Sequence, residues 1–279
     1  MLATSVLVSA FLAGFIAVLV TLAIERWGGL TGGILGTMPS TILPAAAGIY
    51  LAGDEELFMQ SLAIMPMGML INGLFLSVWI YLPPRLGDSK SPLLTTALGA
   101  LAAWFICGLV MLFTVEFALG YGVSSWNLAT LGLVLIIGLA VRMNWNVREA
   151  PKGSEPVAFQ VFILRGSAAA AAIGAAVWLS SQEQPFIAGL AAVFPAIFLT
   201  SMVALWLSQG PTVPRGAAGP MALGGVSVAV YAMVAMYALP EWGVYSGSLI
   251  AWLVAVLGLS LPAYFVLKAR VIADRKSVV

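Results

Sequence analysis

The polar side chains that could handle a solute are few, and they gather beside prolines inside apolar runs. Thr37, Ser40 and Thr41 surround Pro39. Thr200 and Ser201 follow Pro195 by about a turn and a half of helix. A proline inside a helix removes an internal hydrogen bond and kinks or breaks the helix. In a bilayer the freed carbonyls must be met by protein, water or ligand. Hydroxyls beside such a break, with exposed backbone groups, can bind a polar solute or Na+. Helix N-termini at the break favour an anion. Thr37, Pro39, Ser40, Thr41, Pro195, Thr200 and Ser201 are therefore candidate substrate-binding residues. The alternative is a kink packed by small residues, with the hydroxyls bonded to the preceding turn.

Asn72 joins this set because an amide in the middle of an apolar run demands partners. It could bind substrate or fasten two helices. Arg165 is the charge placed furthest inside an apolar run, after Phe159–Leu164 and so more than a turn in. It could guard the mouth of a pathway and attract an anion, or snorkel to lipid headgroups. Pro66 and Pro220 are candidate hinges, or else fixed kinks.

Composition removes most other chemistry. The chain has no histidine, so a histidine-ligated metal site and a serine–histidine triad are both excluded. Cys107 has no cysteine partner for a disulfide or thiolate cluster. No catalytic residue, metal or cofactor is expected, and the chain does not read as an enzyme. Na+ remains a candidate coupling ion, and Asp54, Glu55 and Glu56 a candidate outer gate. A net charge of +1 leaves no broad basic surface for nucleic acid.

The elements that must position these residues are membrane helices. Hydrophobic residues make up 62% of the 279 positions and charged residues 8%, against about 25% charged in a soluble domain. So few charges cannot cover a water-soluble globule. The expectation is an all-alpha polytopic membrane protein whose partner is the lipid bilayer. A span needs about 20 mostly apolar residues. That rule predicts about nine transmembrane helices, roughly at 3–24, 30–52, 58–82, 92–114, 125–142, 159–179, 185–208, 217–239 and 244–267. The first run lacks the positive flank of a secretory signal and reads as a retained helix.

Threading nine spans puts Arg26, Arg85, Lys90, Arg142, Arg148, Lys152, Arg215 and the basic tail on one side. Asp54, Glu55, Glu56, Glu116, Glu183 and Glu241 fall on the other. The positive-inside rule then places the N-terminus outside and the C-terminus in the cytoplasm of a plasma (bacterial inner) membrane.

The two halves resemble each other. Glycine precedes proline by six positions in both Gly33–Pro39 and Gly189–Pro195. Met65-Pro66-Met67-Gly68 stands opposite Gly219-Pro220-Met221 at nearly the same interval. The implied organisation is an N-terminal membrane repeat at 1–115, a linking helix and cytoplasmic loop at 116–158, a C-terminal inverted repeat at 159–268 and a cytoplasmic tail at 269–279. Each repeat has four helices, and the odd linking helix inverts the second.

Secondary transporters use this device to generate two similar states open to opposite sides. The expected function is alternating-access transport of a small polar or anionic solute, bound near the midplane between two proline-broken helices. A channel or facilitative pore is the first alternative. A structural or lipid-handling membrane subunit is the second. A homodimer is compatible with the sequence. The tracts Gly29–Gly36 and Gly166–Ala176 are expected to permit close helix contact. Trp27, Trp79, Tyr81, Trp126, Trp178 and Trp242 are expected to anchor span ends at the interface.

Overall fold

The computed structural model describes residues 2–27, 38–87, 91–145 and 159–277. Regular structure among them is helical throughout. In chain order the helices are α1 (Leu2–Trp27), α2 (Ile42–Ala52), α3 (Glu55–Ala63), α4 (Met65–Tyr81), α5 (Pro92–Gly120), α6 (Ser125–Met143), α7 (Phe159–Ser181), α8 (Pro185–Ala192), α9 (Ala196–Gln209), α10 (Thr212–Ala255) and α11 (Leu261–Ser277). A short 3-10 turn follows α4, and a π-helical turn joins α10 to α11.

Among the described residues, six segments are long and apolar enough to cross a membrane: Glu55–Arg85, Pro92–Gly120, Ser125–Met143, Phe159–Ser181, Pro185–Leu207 and Thr212–Arg270. That is fewer than the nine spans expected, and the difference has two sources. Helix α1 runs Leu2–Trp27, but its side chains are described only as far as Leu19, and the stretches Ala3–Leu19 and Ile42–Ala52 are each shorter than a span. Thr212–Arg270 covers two expected spans, and its helix α10 is broken at Gly243 (φ 75°, ψ 172°). After the break the chain folds back. A Cβ added at Gly247 would collide with the Ala238 carbonyl and lie 2.8 Å from the Leu239 Cα.

Small residues let the helices approach this closely. Ala10 lies beside Gly174, Gly14 beside Ala170 and Gly166, and Val18 beside Gly166. Numbers rise along α1 as they fall along α7, so the two helices are antiparallel. A Cβ at Gly189 of α8 would collide with the Ser61 carbonyl of α3. Gly132 of α6 presses on the backbone of Pro66 and Met67, with 2.6 Å from an added Cβ to the Met67 nitrogen. Helix α6 thus packs against α4, and it also packs against α10. The Gly29–Gly36 tract lies outside the described residues. The Gly166–Ala176 tract meets α1 along one face only.

Three prolines behave unlike one another. Pro66 sits in the first turn of α4, where its missing N–H has no intrahelical bond to make. It starts a helix and does not kink one. Pro220 lies inside α10, which continues through it. Pro195 stands at a complete interruption between α8 and α9.

The interfacial reading of Trp79 is corrected. Its side chain is fully buried, 6.1 Å from the Trp206 ring and 6.4 Å from Phe75. The Glu55–Arg85 segment is 72% buried over its most apolar window, whereas Pro92–Gly120 is 22% buried. The first is central, so Trp79 is covered near its end although Tyr81 two residues on is exposed. Tyr81, Trp126, Trp178 and Trp242 are exposed; the side chain of Trp27 lies outside the described set. The Asp54–Glu56 group is exposed and begins α3. Asp54 caps that helix, accepting from the Leu57 N–H at 2.8 Å, and Glu55 and Glu56 complement the N-terminal dipole. Glu116 is exposed within α5, which runs on to Gly120.

Candidate functional site

The break between α8 and α9 organises the polar interior. Helix α8 ends at Ala192 and α9 begins at Ala196. Between them Val193 N–H donates to Leu190 O at 3.2 Å, and Phe194 N–H to Ala191 O at 3.1 Å. Pro195 has no N–H to offer the chain before it. The Val193 carbonyl is taken instead by Asn72 of α4, whose Nδ2 donates to it at 2.8 Å. The other end of the amide is also satisfied: Trp104 Nε1 of α5 donates to Asn72 Oδ1 at 2.8 Å. Asn72 is 2% exposed, so both bonds form away from solvent. One turn earlier on the same face of α4, Gly68 leaves the space that the Val193 side chain occupies. The Trp104 ring then meets Phe194 edge-on at 5.2 Å. The amide that the sequence left between two roles fastens three elements at the break.

Arg165 lies on the other side of this junction. The guanidinium does not snorkel. Arg165 is 4% exposed; its Nε donates to Thr200 Oγ1 at 3.2 Å and its Nη2 to Ser201 Oγ at 2.7 Å. Both hydroxyls belong to the first turns of α9, just past Pro195. Their own protons go to the preceding turn: Thr200 donates to Ala196 O at 2.8 Å, and Ser201 to Ile197 O at 2.6 Å. The hydroxyls are thus bonded to the preceding turn. Back-bonding orients them, and their lone pairs then face the guanidinium. The result is a fixed cation set in a polar notch of an apolar interior. A guanidinium is suited to carboxylate and phosphate oxygens in bidentate geometry.

The first break is only partly described. Thr37 lies outside the described residues. Pro39 is buried in the non-helical stretch before α2. Ser40 Oγ donates locally to Met38 O at 3.3 Å, and Thr41 precedes α2 without a side-chain cap bond. Among the described residues no hydrogen bond joins Ser40 or Thr41 to Arg165, Thr200 or Ser201. The two regions share neighbours: α2 packs on α7 and α10, and α9 packs on the same two helices.

The remaining candidates sit at helix contacts. Pro66 carries the close approach of α6. Pro220 follows Gly219, whose carbonyl accepts from Asn144 Nδ2 at 2.8 Å. Sequence reasoning missed Asn144, which it assigned to a polar connector. It also missed Trp104, which reads as one more apolar core residue. An amide one position past a span end is the signal that could have drawn attention to the first. Among the described residues no cluster of three acidic or cysteine side chains could hold a metal.

Helical throughout its described residues, with six segments able to cross a bilayer, the chain is of the helical membrane protein class. Comparison with family models, with curated proteins and with solved structures returned no match in any of the three.

Proposed function

We propose that this chain is a secondary transporter for a small anionic solute, working by alternating access in a plasma membrane. The observation that carries the reading is Arg165, buried inside α7 and held by Thr200 and Ser201 beside the Pro195 break. Burying a guanidinium in apolar surroundings is costly. Such residues in membrane spans commonly mark a pathway. An anion arriving at this point would meet a preset cation and the broken helix.

The rest of the reading concerns architecture. Nine spans form two inverted four-helix repeats around α6, with the N-terminus outside and the C-terminus cytoplasmic. Two findings support it. The fold-back at Gly243 divides the long last segment into two. Helices α1 and α7, the first members of the two repeats, pack antiparallel. The solute site lies where the broken helices of the two repeats approach the midplane, and Na+ is the candidate coupling ion.

The test uses purified chain and proteoliposomes. Thermal unfolding is followed against phosphate, carboxylates, amino acids, sugars and nucleobases, with and without Na+. A saturable stabilisation by one anion class is expected, because a ligand that binds the folded state stabilises it. Saturable uptake of that anion follows, and Arg165→Met abolishes both. Uptake that never saturates would identify a pore. An anion response that survives Arg165→Met would overturn the assignment of the site.

A further inference from the structure

An apolar cleft opens between α5 and the α7–α8 pair. Its volume is about 570 Å³. One wall is α5, from Trp104 to Leu112; the facing wall is α7, from Ala168 to Ala175; Leu190 and Phe194 close the inner end. The lining carries no polar group except the Trp104 indole, and that N–H is already given to Asn72. A buried water needs two to four polar partners, and this cleft offers none.

The shape is linear. Ala168, Ala171, Ala172 and Ala175 line it at helical spacing, a stretch of about 10 Å at 1.5 Å per residue. The α5 wall extends for about the same length. The opening lies on an exposed apolar flank of the helices. Phe105 and Leu109 at its rim are 54% and 58% exposed, and they continue along α5 into exposed Phe113 and Phe117. The opposite face of α7 is packed on α1, so this wall is fixed. An apolar cavity of about 150 Å³ takes a benzene; this one has several times that volume and is open to hydrocarbon.

We propose that the cleft is a binding site for one acyl chain of a membrane phospholipid, which enters from the bilayer between α5 and α7 and lies along the alanine face against Phe194. The occupant is a lipid tail because the walls are wholly apolar, the groove is elongated along the helix axes, and its mouth is continuous with the outward face of α5. The inference stands or falls separately from the transport reading, since neither Arg165 nor the solute takes part.

The test is photolabelling of the full chain in phosphatidylcholine vesicles that contain a trace of phosphatidylcholine with a mid-chain diazirine. Adducts are expected on Leu112 and Leu190 within the cleft, and also on Phe113 and Phe117 outside it. Ala172→Phe, which fills the groove, removes the Leu112 and Leu190 adducts and leaves those on Phe113 and Phe117. The persistence of the outer adducts shows that the variant is inserted and folded. Should they vanish as well, the milder Ala168→Val decides by the same comparison. Cleft adducts that persist unchanged beside the filling side chain would overturn the proposal. So would the absence of Leu112 and Leu190 adducts from the parent chain while Phe113 and Phe117 are labelled.

Discussion

Asn72 and Val193 are 121 positions apart in sequence and 2.8 Å apart in space, amide nitrogen to carbonyl oxygen. The break at Pro195 leaves a carbonyl that α9 does not use, and α4 supplies its donor. Asn72→Ala strands that carbonyl and the Trp104 indole together. An unsatisfied buried polar group costs about 1–3 kcal/mol, with values for bonds between membrane helices at the lower end. Thermal unfolding in detergent should therefore rank the variants Trp104→Phe, then Asn72→Ala, then Asn72→Asp as increasingly destabilised. The aspartate keeps the acceptor for Trp104, loses the donor to Val193 and adds a buried charge. Unchanged stability in Asn72→Ala would show that the amide does not fasten the break.

Glycine positions separate by what lies opposite them. A methyl at Gly189 would run into the Ser61 carbonyl, whereas a methyl at Gly138 of α6 meets nothing within 4 Å. Gly189→Ala forces α3 and α8 apart, and overpacking of this kind costs about 1–3 kcal/mol. Gly138→Ala meets no such clash and gains helix propensity of about 0.5–1 kcal/mol. The two substitutions are chemically identical and should shift the melting temperature in opposite directions. Equal shifts would mean that the α3–α8 contact is looser than described.

Much of the helical layout is legible in the sequence. The spacing places a span at 125–142, and α6 is Ser125–Met143; it places one at 159–179, and α7 is Phe159–Ser181. Length and apolar character suffice for that, because a helix satisfies its own backbone wherever it lies in the bilayer. Partners are another matter. Trp79 and Trp178 both sit near the ends of apolar runs, yet one is buried against Trp206 and the other is 52% exposed. A helix apolar on every side carries no stripe that separates a protein-facing from a lipid-facing surface. The destination of Arg165 was illegible for the same reason. Its depth in the run was visible, but not the two hydroxyls on α9 that receive it. Asn144 was hidden by its position at the edge of a polar connector, although it reaches back to Gly219.

Arg165 offers a clean separation between a structural and a functional cation. Thr200 and Ser201 keep their bonds to the Ala196 and Ile197 carbonyls when the guanidinium is removed. Arg165→Met therefore leaves no hydroxyl proton unsatisfied and replaces a buried charge by an apolar chain of similar length. The variant should lose anion-dependent stabilisation. Arg165→Lys retains charge without the two-pronged geometry and should bind the anion more weakly. A sharp loss of stability in Arg165→Met, with no anion effect in the parent chain, would make the residue a structural strut.

Gly243 carries a different kind of necessity. Its φ of 75° and ψ of 172° lie in a region that essentially only glycine occupies, and a Cβ there would meet nothing within 4 Å. The constraint is thus in the backbone and not in the space around it. Asparagine, which tolerates the left-handed helical region, has no advantage at this ψ. Gly243→Ala and Gly243→Asn should both cost about 1–3 kcal/mol in thermal unfolding. Gly120→Ala, at another uncrowded glycine but without positive φ, should cost far less. The reversal also has a topological consequence for the nine-span arrangement. In the arrangement proposed above, Glu241 lies outside and Arg275 in the cytoplasm. In a Cys107→Ala background, a membrane-impermeant thiol reagent should label Glu241→Cys in intact cells and reach Arg275→Cys only after permeabilisation. Labelling of both positions from the same side would mean that the two arms of α10 do not cross the bilayer separately.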